Sequence, residues 1–215
     1  HAKWYGGAVY WNGDNGKVVD CSFVNNHADG YGGAVYWNGD NGFLSACSFV
    51  NNHAKWGGAV CWYGDNGFLS ACSFVNNHAD GYGGAVYWDG DNGKLSSCSF
   101  VNNHADGYGG AVYWDGDNGK LSSCSFVNNH AKEFKGNVIY WFKSGDIFAC
   151  TFSVFRPKNT NTVTVNNLIF YEKNNYNVNY YENGNKILNS GINKNITFSN
   201  LNRIKIMVQT HLNPW

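Results

Sequence analysis

Arginine is absent from the first 155 residues, and the whole chain holds only two, against 13 lysines. Charge of either sign is sparse, at 14 % of 215 residues, and it is unevenly spread. Residues 1–155 carry 13 acidic and 8 basic side chains, a net of −5, whereas residues 156–215 carry 2 and 7, a net of +5. A weakly acidic surface without arginine lacks the clustered cations that displace phosphate counterions, which argues against nucleic acid as a partner. Proline occurs twice and leucine is scarce. No apolar run approaches the ~18–20 residues of a membrane-spanning helix. No Cys-x-x-Cys pair is present, so a thiolate zinc site is not expected. Methionine occurs once, at Met207, and the sequence opens on His1 in the middle of a repeat. It is therefore expected to be a piece of a longer chain, with any export signal lying upstream.

Glycine (27 residues) and aromatic residues (17 %) are plentiful. That mix disfavours long helices and favours turn-rich β structure. Cys21, Cys47, Cys72, Cys98, Cys124 and Cys150 follow one another at intervals of 25 or 26 residues. Around them runs one unit: Cys-Ser-Phe-Val-Asn-Asn-His-Ala, a linker, Gly-Gly-Ala-Val, an aromatic pair, and Gly-Asp-Asn-Gly. Residues 72–97 and 98–123 are identical at all 26 positions. A fixed period in the twenties marks a solenoid, in which each repeat buries its apolar side only against its neighbours. The glycine content and the lack of any sustained 3.6-residue apolar period exclude helical solenoids.

What remains is an all-β chain: a right-handed, single-stranded parallel β-helix of about six ~26-residue coils over residues 1–155. Read on residues 98–123, one strand is Gly110 to Trp114, and the turn Asp115 to Gly119 follows it. A short segment at Lys120-Leu121 leads to a corner at Ser122-Ser123, and Cys124 to Val127 forms the third strand. Leu121 and Cys124 fall on opposite alternation phases, so a corner must lie between them for both to point inward. The stretch from His130 onward reads as a loop into the next coil. Stacked at ~4.8 Å, six coils make a rod of roughly 29 Å.

Stacking turns each repeated residue into a column. The Cys and Phe columns alternate with outward Ser and face the core. Stacked thiols lie within reach of cross-links along the rod, and they serve equally as small apolar fillers, the reading favoured here. Cys61 stands where other coils carry Tyr. His27, His53, His78, His104 and His130 make a histidine column that would bind metal or sense pH if its rings converged, but the simpler reading is a row of loop residues, with no metal assigned. Asp14, Asp40, Asp65, Asp91 and Asp117 sit in the turns, either splayed into water or bridged by calcium. Neighbouring Tyr and Trp point to opposite faces of a strand. With Trp11, Trp37, Trp62, Trp88, Trp114 and Trp141 inward, Tyr10, Tyr36, Tyr87, Tyr113 and Tyr140 form an exposed strip interrupted at Cys61. That strip is either a ladder stabilising the sheet or a face for sugar or another partner.

The pairing of Gly6-Gly7-Ala8-Val9 through Gly109-Gly110-Ala111-Val112 with Phe23 to Asn26 through Phe126 to Asn129, once per coil, resembles the repeats of chlamydial polymorphic outer-membrane proteins. It is similar too to adhesin-like surface proteins of gut methanogens, which join such coils to immunoglobulin-like modules. The resemblance covers roughly residues 1–155 and implies an extracellular, surface-attached protein that adheres to a glycan or protein on another cell. A catalytic site needs a unique set of groups with separated roles, and identical coils repeat every candidate acid in the same surroundings. The expectation is thus a non-catalytic adhesin or stalk without cofactor. The alternative is a β-helix protein that binds or cleaves polysaccharide.

The repeat fades at Gly136 to Ile139 and at Phe152 to Phe155. After Arg156-Pro157 the composition shifts to Asn, Ile, Tyr and Lys. Alternating runs at Val163 to Val165, Leu168 to Tyr171, Asn177 to Tyr181, Ile196 to Phe198 and Ile204 to Val208 mark strands, with a turn at Glu182 to Asn185. Residues 156–215 read as a small β module: an incomplete immunoglobulin-like unit, or a cap over the last coil's edge. Asn195-Ile196-Thr197 is a glycosylation sequon if the chain is exported.

Overall fold

The computed structural model describes residues 1–132, 138–143, Gly145 and Cys150 with their side chains, together with the strand backbone of Gly145–Phe155, Thr162–Val165, Leu168–Phe170, Val178–Glu182, Asn185–Ser190, Ile196–Ser199 and Arg203–His211. The expected features at Gly136-Asn137, Arg156-Pro157, Asn183-Gly184 and Asn195 lie outside the described residues.

The chain is a right-handed parallel β-helix. Five full turns run from Cys21 to Cys150, preceded by a partial turn over residues 1–20. Residues one period apart pair in parallel and in register. In what we call the Trp sheet, Val9–Trp11, Val35–Trp37, Val60–Trp62, Val86–Trp88, Val112–Trp114 and Ile139–Trp141 lie side by side, with Trp11 opposite Trp37 and Trp88 opposite Trp114. A second sheet holds two strands per coil, such as Phe68–Ser70 and Ser73–Val75, which pair with Lys94–Ser96 and Ser99–Val101. The corner between them is where the alternation required it. Asp20, Ala46, Ala71, Ser97 and Ser123 all adopt a left-handed backbone, with φ of 51–54°.

One expectation is corrected. The segment after the Asn pair is a strand, not a loop: His27–Tyr31, His53–Trp56, His78–Tyr82, His104–Ala105 and His130–Ala131 form a third, five-stranded sheet. Its local sequence, His-Ala-Asp-Gly, carries turn-forming residues. The extended state is supplied by parallel pairing with the coils above and below, as in His53↔His78↔His104.

The core is a set of stacked columns. Trp37, Trp62, Trp88, Trp114 and Trp141 are fully buried, and their rings stack at 4.7–4.8 Å within 4° of parallel. Phe49, Phe74, Phe100 and Phe126 repeat this at 4.8 Å. The last Gly of each turn lies against the indole: a Cβ on Gly93 would come within 2.3 Å of Trp88 Nε1. In the Gly-Gly pair the two residues differ. Gly83 takes a φ of +66°, while a Cβ on Gly84 would meet the Gly110 carbonyl oxygen of the next coil at 2.1 Å.

All seven cysteines are free. The Cys47 N–H donates to the Cys72 sulfur at 3.4 Å, and the Cys72 thiol donates to the Ser70 carbonyl at 3.1 Å. The column therefore both fills the core and satisfies the backbone at the corner. Burial pushes the Cys47 thiol up to about 11 and that of Cys61 well above its ordinary value.

Beyond the last coil, Arg203–His211 pairs antiparallel with Gly145–Phe155, and Leu168–Phe170 adds in parallel to Ile139–Trp141. Thr162–Val165 pairs with Ile196–Ser199 and Val178–Glu182 with Asn185–Ser190, both antiparallel. Among the described residues, no helix is long and apolar enough to cross a membrane.

Candidate binding face

Where the third sheet, that of the His strands, leads into the Trp sheet, two columns of aromatic rings lie side by side. Tyr10, Tyr36, Tyr87, Tyr113 and Tyr140 do stack, with ring centroids at 5.4 Å for Tyr10–Tyr36, 5.1 Å for Tyr87–Tyr113 and 5.2 Å for Tyr113–Tyr140. They are not a bare strip. Tyr10 is 55 % exposed, Tyr36, Tyr87 and Tyr113 are half-buried, and Tyr140 is buried. A second column covers them: Tyr5, Tyr31, Trp56, Tyr82 and Tyr108, one ring directly ahead of each Gly-Gly pair. Tyr82 lies 5.1 Å from Tyr113 and Tyr108 lies 5.0 Å from Tyr140. The expected interruption at Cys61 is also closed. Tyr63 sits 5.5 Å from Tyr36 and 6.1 Å from Tyr87, above a fully buried Cys61. Burial raises the hydroxyl pKa of Tyr36, Tyr63, Tyr87 and Tyr113 above the ordinary phenol range. The second column was visible as a periodic aromatic residue before each Gly-Gly, a signal hidden by reading the segment as a loop.

Beside this band an open groove of about 430 Å³ is lined by Lys55, Trp56, Asp80, Tyr82, Asp106 and Tyr108. The Lys55 ammonium lies 4.6 Å from the Trp56 ring centroid, a cation–π distance. Flat rings flanked by carboxylates and one ammonium form a surface suited to polar ring-shaped ligands such as sugars, whose C–H faces stack on aromatics and whose hydroxyls bond to charged groups.

The histidines also point outward: the His53 and His78 rings stack at 4.9 Å, and the His104 ring lies 5.1 Å from His78, tilted by 43°. Asp80 Oδ1 is 2.8 Å from His53 Nε2 and 4.0 Å from His78 Nε2. Asp106 Oδ1 is 3.0 Å from His104 Nε2 and 3.9 Å from His78 Nε2. His78 is held below the ordinary imidazole pKa by burial and by the adjacent His53 and His104. Asp106 is held below the carboxylate range by its hydrogen bond with His104.

The turn carboxylates behave differently. Asp40 Oδ1 accepts the Asp65 N–H at 2.8 Å, and Asp65 Oδ1 accepts that of Asp91 at 2.8 Å. One oxygen of each is thus committed to the backbone of the next coil, which is how carboxylates tolerate the stacked arrangement.

A second buried column escaped the sequence reading. Asn52, Asn77, Asn103 and Asn129 are almost fully buried. Each amide from Asn52 to Asn103 donates to the next coil's Asn Oδ1, as Asn77 does to Asn103 at 2.9 Å, and all four donate also to a Phe carbonyl of the preceding coil, as Asn77 does to Phe49 at 3.1 Å. No spacing signal separated these residues from the exposed Asn that precedes each of them.

With stacked coils and repeating columns in view, the comparison with known families is direct. The family described as the right-handed β-helix region matches residues 2–152, and the chain belongs to it. Neither a curated protein nor a solved structure matches the chain.

Proposed function

We propose that this chain is part of a non-catalytic, cell-surface stalk or adhesin whose stacked coils present one face repeatedly to a neighbouring cell or glycan. The observation that carries the reading is the identity of residues 72–97 with 98–123, two adjacent coils that place the same groups in the same register. Selection for a unique reacting centre would have driven such coils apart, whereas selection for reach and repeated presentation tolerates copying. The resemblance to chlamydial and methanogen surface repeats supports an extracellular location. Antibody raised against residues 72–123 should label intact cells of the source organism. Labelling confined to permeabilised cells would overturn the surface reading.

The aromatic groove favours a glycan as the partner. Binding is preferred over cleavage because Asp80 and Asp106 occupy one position in two copies of the same coil. Glycoside hydrolysis instead needs one carboxyl held protonated and another ionised. On a glycan array the wild-type protein should bind a restricted set of sugars, and W56A/Y82A/Y108A should lose that binding. Equal binding by the variant would move the glycan site away from this groove, and no binding by the wild type would remove the glycan as partner and leave a protein receptor for the stalk.

A further inference from the structure

The histidine column acquires a different meaning once it stands on a strand. In-register pairing fixes His53, His78 and His104 one above another, and only two successive coils in this part of the column also carry Asp two residues after His, at Asp80 and Asp106. The coil before them has Lys55 and the coil after has Lys132 at that position. The carboxylates therefore flank one imidazole, that of His78.

That imidazole is the unsatisfied member. His53 and His104 each have an Asp oxygen within 3.0 Å, but His78 Nε2 is shielded from solvent and makes no hydrogen bond, at 4.0 Å from Asp80 and 3.9 Å from Asp106. A shielded nitrogen facing two carboxylates just beyond hydrogen-bond reach lacks a positive partner. Nitrogen and oxygen donors bind zinc at about 2.0–2.2 Å, so donors of one tetrahedral ion stand roughly 3.4 Å apart. The ligand atoms of His53, His78 and Asp80, and those of His78, His104 and Asp106, lie within 4.8 Å of one another. Rotation of exposed side chains by less than 1 Å per atom closes either set.

We propose that His78 is the centre of a divalent transition-metal site on the outer face of the β-helix, completed by Asp80 and Asp106 with His53 or His104. Imidazole and carboxylate donors select zinc, copper(II), nickel or cobalt over calcium or magnesium, which prefer all-oxygen sets. His78 Nε2 has one lone pair to give, so the two overlapping sets hold one ion between them. This inference does not rest on the proposed function: it shares Asp80 and Asp106 with the groove but uses the histidines where the glycan reading uses the aromatic rings.

The test is titration of the untagged protein with zinc chloride by calorimetry. Cobalt absorption is recorded in parallel, to tell nitrogen and oxygen ligands from the thiolates of the buried cysteine column. The wild type should bind one ion at this site without a thiolate charge-transfer band. H78A should abolish binding there, and D80N/D106N should weaken it by at least the roughly 10–100-fold that the loss of even an outer-sphere partner costs. H1A, which removes one member of the exposed His1–His27–Asp29 group, and W56A/Y82A/Y108A, which strips the aromatic shelf, should both leave it intact. All these positions are at least partly exposed, and circular dichroism of each variant verifies folding. Absence of saturable binding by the wild type, equal binding by folded H78A and D80N/D106N, or a thiolate band on cobalt would each overturn the proposal. Loss of glycan binding with retained zinc binding would bear on the proposed function alone.

Discussion

At the scale of single residues, the two asparagines of each coil hold different posts. Asn76 is exposed and takes a φ of 56°, a conformation that Asn enters more readily than most residues. Asn77 is buried with every polar atom matched: its Oδ1 accepts from the Asn52 N–H and Nδ2 at 3.0 Å each, and its Nδ2 donates to Asn103 and Phe49. Asn77→Ala would leave the buried Asn52 N–H without its acceptor and take one bond each from the Asn52 amide and the Phe49 carbonyl. At ~1–3 kcal/mol for the orphaned group and ~1 kcal/mol for each lost bond, the expected loss is on the order of 3 kcal/mol. Asn77→Asp should cost more still, because it sets a buried carboxylate against two oxygen acceptors. Asn76→Ala should cost no more than the ~1–2 kcal/mol of a left-handed backbone with a Cβ. Urea denaturation of the three variants ranks them, and equal losses at Asn76 and Asn77 would refute the division of labour. The first post suits Asn as a familiar corner residue. The second was illegible because its partners are 25 or 26 residues away and share its own identity.

At the scale of elements, stacking multiplies whatever stands in a column, for good or ill. The position after each Trp shows both outcomes. Asn38 donates to Asn12 across the coils at 2.8 Å, a ladder of neutral amides. Further along, Asp89 and Asp115 occupy the same column. Burial raises both carboxyl pKa values, reinforced at Asp89 by Asp115 and at Asp115 by Asp117 and Asp91, with Lys143 offsetting part of the effect. A carboxyl whose folded pKa lies above its unfolded one is a liability when ionised. The penalty is present above the folded pKa and vanishes below the unfolded value near 4. D89N/D115N should therefore melt at a higher temperature than the wild type at pH 7, and the difference should shrink as the pH falls through the carboxylate range. A gap that widens on acidification would mean that the pair is held by contacts the amides cannot replace. The same logic explains what was legible in the strands. The corner at Ser122-Ser123 followed from Leu121 and Cys124 lying on opposite phases, a local signal. The His strand gave no such signal, because its Asp-Gly favours a turn and only its neighbours in the stack extend it. The exposed Tyr strip failed for the same reason, since the column that covers it rides on that unrecognised strand.

At the scale of the whole molecule, cohesion passes from coil to coil through in-register pairing of neighbours. That makes the two identical coils a natural experiment. Deleting residues 98–123 joins Ser97 to Cys124, a junction with the same local sequence as Ser97-Cys98. The Trp, Phe, Leu, Cys and Asn columns then close up with like against like, and no ladder is interrupted. The shortened chain should fold, with an unchanged β signature in circular dichroism and a rod shorter by one layer of ~4.8 Å in small-angle scattering. Its melting temperature should fall modestly, because one set of neighbour contacts is gone while every remaining interface is of a kind already present. The deletion also removes Asp106 and brings Lys132 into the layer after Asp80, so the His78 cluster loses its second carboxylate while the stack remains whole. Loss of cooperative unfolding or aggregation of the deleted chain would show that its coils are not interchangeable, and that the identity of the two copies serves a local requirement rather than length.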